Sequence, residues 1–383
     1  MSHFELPEWR KLSRDEQMEI VNLPTDRTYI VVGEPGTGKK HLAIACVAKI
    51  RDTNPESTIR FLVYSKSSQL HLSGLLEAAE LDNIHATMCH AWIWSELGIR
   101  PSRGFWAFDW NLMRRVVARK WPNEGKPYDH LIIYEAQDIP KPLLEILHRL
   151  AKTATIFIDP RYPIHDEASE WGFASVAQIR SIFAPEGHRT FELTQNYRNT
   201  REILEAALVI QPLEEYETPK CAIRRGAKPL LQELSPSATV TRIQAYFKCN
   251  PTQSIGILVP YHKKRDEIYE LLEASGVPVQ RYKIGRSGYD PCAEGITVLT
   301  YNAVKGLEFD AVFMLHLEDE YFDAKDSDLR RNIVYVAATR ARSYLALFHD
   351  GPIKAKWLRS VLAECVSQEK VDQPTKEDDD IPF

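Results

Sequence analysis

One glycine-rich octapeptide constrains this chain more than any other stretch of its 383 residues. Gly33-Glu34-Pro35-Gly36-Thr37-Gly38-Lys39-Lys40 follows an apolar run, Thr28–Val32, and precedes a helix-forming stretch, His41–Arg51. A strand, a loop of this spacing and a helix make a phosphate cradle. Backbone N–H groups from Glu34 to Lys39 converge at a helix N-terminus, and the Lys39 ammonium reaches the outer phosphates. The pattern is complete through Lys39 and then breaks. Lys40 stands where a Ser or Thr hydroxyl would hold Mg²⁺.

A second break lies downstream. Leu131–Tyr134 reads as a buried strand that runs into Glu135-Ala136-Gln137-Asp138. Nucleotide hydrolases keep a metal-binding Asp before that Glu; here Tyr134 has its place. Two hard oxygen ligands for one small cation are therefore missing at distant points, so no protein-held Mg²⁺ is expected and no metal ligand is assigned. A nucleotide-hydrolase scaffold that hydrolyses poorly is the expectation.

Apolar runs alternate with helical stretches along most of the chain, which predicts an α/β fold with parallel sheets. The runs are Thr28–Val32, Phe61–Tyr64, Leu131–Tyr134, Thr155–Ile158, Ser254–Val259, Ile296–Thr300, Ala311–Leu315 and Ser343–Phe348. Helices are expected over Asp15–Leu23, His71–Glu80, Asn196–Leu208, Lys263–Ser275 and Leu329–Ala341. Three parts follow: a first α/β domain over 1–187, a second over 188–365, and a polar, disordered tail over 366–383. The aromatics Trp92, Trp94, Phe105, Trp106, Phe108 and Trp110 are expected to pack in the core or between domains, with base stacking as the alternative. Net charge is −5, so bulk electrostatics do not announce a nucleic-acid binder, although Arg114, Arg115, Arg119 and Lys120 cluster locally. Six scattered cysteines make neither a zinc site nor a disulfide framework. No run approaches ~18 apolar residues, so no membrane partner and a cytoplasmic home are expected.

The phosphate loop does not stand alone. Gln17 lies upstream of it, Glu135-Ala136-Gln137-Asp138 follows the strand, and Asn196-Tyr197-Arg198 opens the second half. Then come Leu299-Thr300-Tyr301-Asn302-Ala303-Val304-Lys305-Gly306-Leu307-Glu308-Phe309 and Tyr335-Val336-Ala337-Ala338-Thr339-Arg340-Ala341-Arg342. This ordered set, over residues 12–348, resembles the UvrD/Rep-like superfamily 1 DNA helicases. The resemblance implies two RecA-like domains with a nucleotide cleft between them and single-stranded DNA across their top. It implies ATP or ADP bound by Gly33, Gly36, Gly38, Lys39 and Lys40. Gln17 would read the adenine edge, Tyr197 stack on its face and Glu308 hold the ribose. Glu135 would orient water, Gln137 sense the terminal phosphate, and Arg198 and Arg340 act as arginine fingers.

Departures cluster on chemistry. Besides Lys40 and Tyr134, Tyr162 replaces a family Gln after Ile158-Asp159-Pro160-Arg161, and Trp171 is expected to be buried. The chain ends Asp378-Asp379-Asp380-Ile381-Pro382-Phe383, which is similar to the C-terminal tip of bacterial single-stranded-DNA-binding protein, a docking peptide for genome-maintenance enzymes. An aromatic anchor, a terminal carboxylate and three acids suit docking on an apolar pocket with a basic rim. The preferred expectation is a helicase-like protein with lost or strongly impaired ATPase activity that binds DNA, protein partners or both. An active compact helicase and a nucleotide-gated switch without turnover are the rivals.

Overall fold

A computed structural model describes residues 16–81, 83–102, 107–122, 125–160, 172–184, 190–211, 221–281, 294–323, 327–365 and 367–368. Central strands that are largely apolar, joined by crossover helices, lead to two parallel sheets. The first contains β1 (Tyr29–Gly33), β2 (Ile59–Val63), β3 (Ala86–Met88), β4 (Tyr128–Tyr134), β5 (Ala151–Ile158) and β6 (Thr190–Leu193), in the order β3-β2-β4-β5-β1-β6. A separate parallel pair, β7 (Gln195–Thr200) with β8 (Cys221–Arg224), links it to the second sheet. That sheet holds β9 (Leu230–Glu233), β10 (Ser254–Val259), β11 (Val279–Arg281), β12 (Gly295–Thr300), β13 (Phe309–Met314), β14 (Ala341–His349) and β15 (Ser367–Gln368). Their order is β11-β12-β10-β13-β14-β9-β15.

Side chains alternate across each sheet. In β4, Leu131 and Ile133 join one apolar cluster, while Ile132 and Tyr134 join the other with Phe157 and Leu42. Because β4, β5 and β1 are neighbours, their carboxyl ends bring Glu135, Asp159 and the phosphate loop to one edge. The second sheet meets that edge with the amino ends of β13 and β14. Phe309 and Ala341 are register partners, so Glu308 and Arg340, each one residue earlier, emerge side by side.

Several expectations need correction. The strand Thr190–Leu193 pairs with β1, so the first sheet extends past the expected break at 187. Ser367–Gln368 pairs with β9, so the second sheet takes in two residues of the expected tail. The helix expected over Asn196–Leu208 starts only at Arg201. Asn196 Oδ1 accepts from the backbone N–H groups of Arg198 and Asn199, and Thr200 caps the helix by accepting from Ile203. Such local side-chain bonds compete with the helical ladder. Trp92 and Phe108 are buried as expected, but Trp94 is 58% exposed with the Arg100 guanidinium over its ring at 4.8 Å. Phe105, Trp106, Tyr162, Trp171 and the tip Asp378–Phe383 lie outside the described residues. No helix among the described residues is long and apolar enough to cross a membrane.

Candidate nucleotide-binding cleft

The loop leaves β1 at Gly33 and enters the helix Lys39–Thr53 through Gly38, its N-cap. Gly36 and Gly38 have φ of 92° and 82°, where a Cβ is strained. There is also no room for one. A Cβ on Gly36 would stand 2.7 Å from the Asn196 amide, and one on Gly38 2.5 Å from Gln17 Nε2. Gln17, buried, donates to the Thr37 carbonyl at 2.9 Å, and the Tyr197 N–H donates to the Gly36 carbonyl at 2.8 Å. Gln17 thus braces the loop, and Tyr197 binds it through backbone while its hydroxyl donates to Gln195. The Lys39 ammonium donates to the Gly33 and Glu34 carbonyls.

Lys40 turns away from the loop. Its ammonium donates to the Gly306 carbonyl at 2.9 Å and to Glu308 Oε1 at 3.3 Å, both from the other domain. Burial lowers the Lys40 pKa, with Glu308 opposing. Glu308 also accepts from Arg198 and faces Arg342 Nη2 at 3.5 Å. Burial alone would raise the Glu308 carboxyl, but Arg198, Lys40 and Arg342 hold it well below the usual carboxylate range.

Glu135 follows β4 with φ of 61°, a left-handed conformation that is strained for a residue with a side chain. It accepts from Gln137 Nε2, while Gln137 Oε1 accepts from the Asp159 N–H at 3.0 Å. Burial acts to raise the Glu135 carboxyl, yet Lys39, Lys305 and the Gln137 bond outweigh it and keep it low. Asp138 is taken by Lys305, which donates to both its oxygens. Arg340 is buried and spends its nitrogens within its own domain, on the Val336 and Leu307 carbonyls and Thr339 Oγ1. Burial and the nearby Arg198 lower its pKa to about 10.

These groups line a cleft of about 290 Å³, near the lower end of ligand-pocket size. Lys39, Lys40, Arg198, Arg224, Lys305, Arg340 and Arg342 outnumber Glu135, Asp159 and Glu308 along its walls. The residues do not fit Mg²⁺. Lys40 brings a cation where a ligand is needed, Tyr134 is a core phenol whose pKa burial raises, and Asp138 is ion-paired. Among the described residues, no group of three His, Cys, Asp or Glu is placed to hold a metal. Of the expected site residues, the structure brings Gly33, Gly36, Gly38, Lys39, Lys40, Gln17, Tyr197, Glu135, Gln137, Arg198, Glu308 and Arg340 to this one region. Lys305, Arg342 and Asn196 went unassigned as site residues. Their signal was present, since each lies inside a quoted motif and two are charges bordering apolar strands.

Residues 295–348, which carry Lys305, Glu308, Arg340 and Arg342, match the UvrD-like helicase C-terminal domain. Over longer stretches the chain is similar to proteins named as ATP-dependent DNA helicases. It is 25% identical over 243 residues to the candidate ATP-dependent DNA helicase R568 of Acanthamoeba polyphaga mimivirus, covering 56% of this chain and 33% of that one. It is 26% identical over 166 residues to the ATP-dependent DNA helicase UvrD2 of Mycobacterium tuberculosis H37Rv, covering 40% of this chain and 23% of the relative. The chain therefore spans a third or less of these relatives' length. The C-terminal domain of a candidate DNA helicase from Lactobacillus plantarum WCFS1 is similar over 45% of this chain and 99% of that one, at 21% identity and a TM-score of 0.36.

Proposed function

We propose that this chain is a helicase-like protein that binds ATP or ADP in the interdomain cleft with lost or strongly impaired turnover. It acts in DNA replication, recombination or repair by engaging single-stranded DNA, protein partners or both. The observation that carries the reading is Lys40: the side chain at the metal-ligand position is a cation pointed at Glu308 and Gly306. Metal normally offsets the charge that builds on a transferring phosphoryl group, and one ammonium supplies half that charge without an octahedral shell. The relatives named as ATP-dependent DNA helicases support DNA as the polymer engaged. The tip Asp378–Phe383 recruits or competes for enzymes that recognise the end of single-stranded-DNA-binding protein.

A DNA-stimulated ATPase assay with Mg²⁺ tests the reading. We expect negligible turnover from this chain and a gain in the Lys40→Thr/Tyr134→Asp double variant. Turnover of about 1–10³ s⁻¹, abolished by Glu135→Gln, sinks it in favour of an active compact helicase. That rival is favoured by one observation, the low pKa of Glu135 at the cleft wall.

A further inference from the structure

We infer that Glu308 is an internal anion seated against the phosphate loop, and that the cleft takes a metal-free, phosphate-bearing ligand that competes with this carboxylate. The inference rests on the nucleotide-binding reading above and specifies its ligand. Three cations from three separate segments converge on Glu308: Lys40 at the start of the loop helix, Arg198 in β7 and Arg342 in β14. Lys40, Arg198 and Glu308 are only 8%, 11% and 14% exposed. Charge this deep demands compensation; Arg342, 44% exposed, also faces Asp310 at 3.7 Å, which leaves the two buried cations Lys40 and Arg198 to the one Glu308 carboxylate. The surplus positive charge is a standing demand for a further anion.

The arrangement depends on the residue at position 40. A Thr or Ser hydroxyl is too short to cross the cleft, whereas the four-carbon stem of Lys reaches Gly306 and Glu308. Lys40 therefore ties the carboxylate to the loop. Both Glu308 oxygens already face cations, Oε1 toward Lys40 and Arg198 and Oε2 toward Arg342, which is how a phosphate oxygen would be held. A divalent cation beside the Lys40 ammonium and two guanidinium groups would be repelled. An entering phosphate either displaces Glu308 or sits beside it against like-charge repulsion. In both cases the carboxylate opposes the ligand.

Calorimetric titration of the full chain with inorganic pyrophosphate and with ADP, each in EDTA, tests this. Glu308→Gln keeps the shape and removes the charge. It should tighten both ligands about ten-fold or more, the scale on which one close charge changes binding. Unchanged or weaker pyrophosphate binding overturns the inference. So does weaker ADP binding, because it means the carboxylate holds the ribose instead. In a Lys40→Thr background the Glu308→Gln gain should shrink below about three-fold, since the two positions are coupled; a gain of undiminished size overturns the role given to Lys40. Thermal melts confirm that each variant is folded. If neither ligand binds either form, the nucleotide-binding reading itself fails and the inference falls with it.

Discussion

Lys305 donates to both oxygens of Asp138, at 2.8 and 2.6 Å, and so joins the second domain to the first. The Asp138 side chain is 0% exposed and that of Lys305 26%. Burial pushes Asp138 up to about 6 against the pull of Lys305, with Glu135 adding to the rise. Removing one partner of a buried pair strands the other charge, typically at about 3–5 kcal/mol. Lys305→Met should therefore lower stability by about 3 kcal/mol at neutral pH in urea unfolding. Asp138 has a folded pKa above its unfolded value, so the folded form holds the proton more tightly and this group adds stability as pH falls from about 6 toward 4. Without Lys305 the Asp138 carboxyl takes up its proton at higher pH than in the parent, so the variant's loss should shrink as pH falls from neutral toward about 6 and hold level below it. A loss that grows on acidification would refute the assignment.

Nucleotide binding should depend little on Mg²⁺. Lys39 and Lys40 bring two ammonium groups to the cleft, where the usual loop brings one and a metal. Titration of a non-hydrolysed ATP analogue, with and without EDTA, checks this. A large loss of affinity on chelation means that a metal site exists after all.

Both sheets were legible because their strands are nearly continuous apolar runs, and β1, β4, β5, β10, β12, β13 and β14 sit within a few residues of expectation. The short edge strands β3, β11 and β15 were not, since two or three residues carry no periodicity to read. Motif order likewise located the cleft residues. Their partners could not be read, because pairing across 167 or 268 residues depends on how two domains meet. The Asn196–Thr200 segment looked helical by composition, and side-chain bonds to its own backbone decided otherwise.

The tail predicts a separable binding activity. If residues 378–383 dock, the chain should capture an enzyme that recognises the end of single-stranded-DNA-binding protein and be displaced by that protein's terminal peptide. Affinity should rest on Phe383, as buried aromatic anchors dominate small interfaces. Deleting Phe383 should weaken capture far more than changing one Asp, whose contribution fades with salt. Equal recovery by intact and Phe383-deleted protein reduces the tail to a solubility element.

His130 supplies an acid-sensitive point inside the first sheet. It is 3% exposed, with Nδ1 at 2.7 Å from Thr153 Oγ1 and Nε2 at 2.9 Å from Thr155 Oγ1. The Thr153 hydroxyl already donates to the Asp129 carbonyl, so it accepts from Nδ1–H. Nε2 is then left to accept from Thr155. Protonating Nε2 removes that acceptor and buries a charge, and burial lowers the His130 pKa from 6.5 to about 4. With the folded value below the unfolded one, the unfolded chain takes up the proton first. The contribution to stability is complete above pH 6.5 and is lost progressively down to about 4. That interval corresponds to about 3 kcal/mol. In urea unfolding at half-unit steps from pH 7 to 4.5, His130→Gln should become more stable relative to the parent as pH falls, because it cannot titrate while the parent loses the His130 contribution. A difference between the two that stays level assigns any acid sensitivity elsewhere.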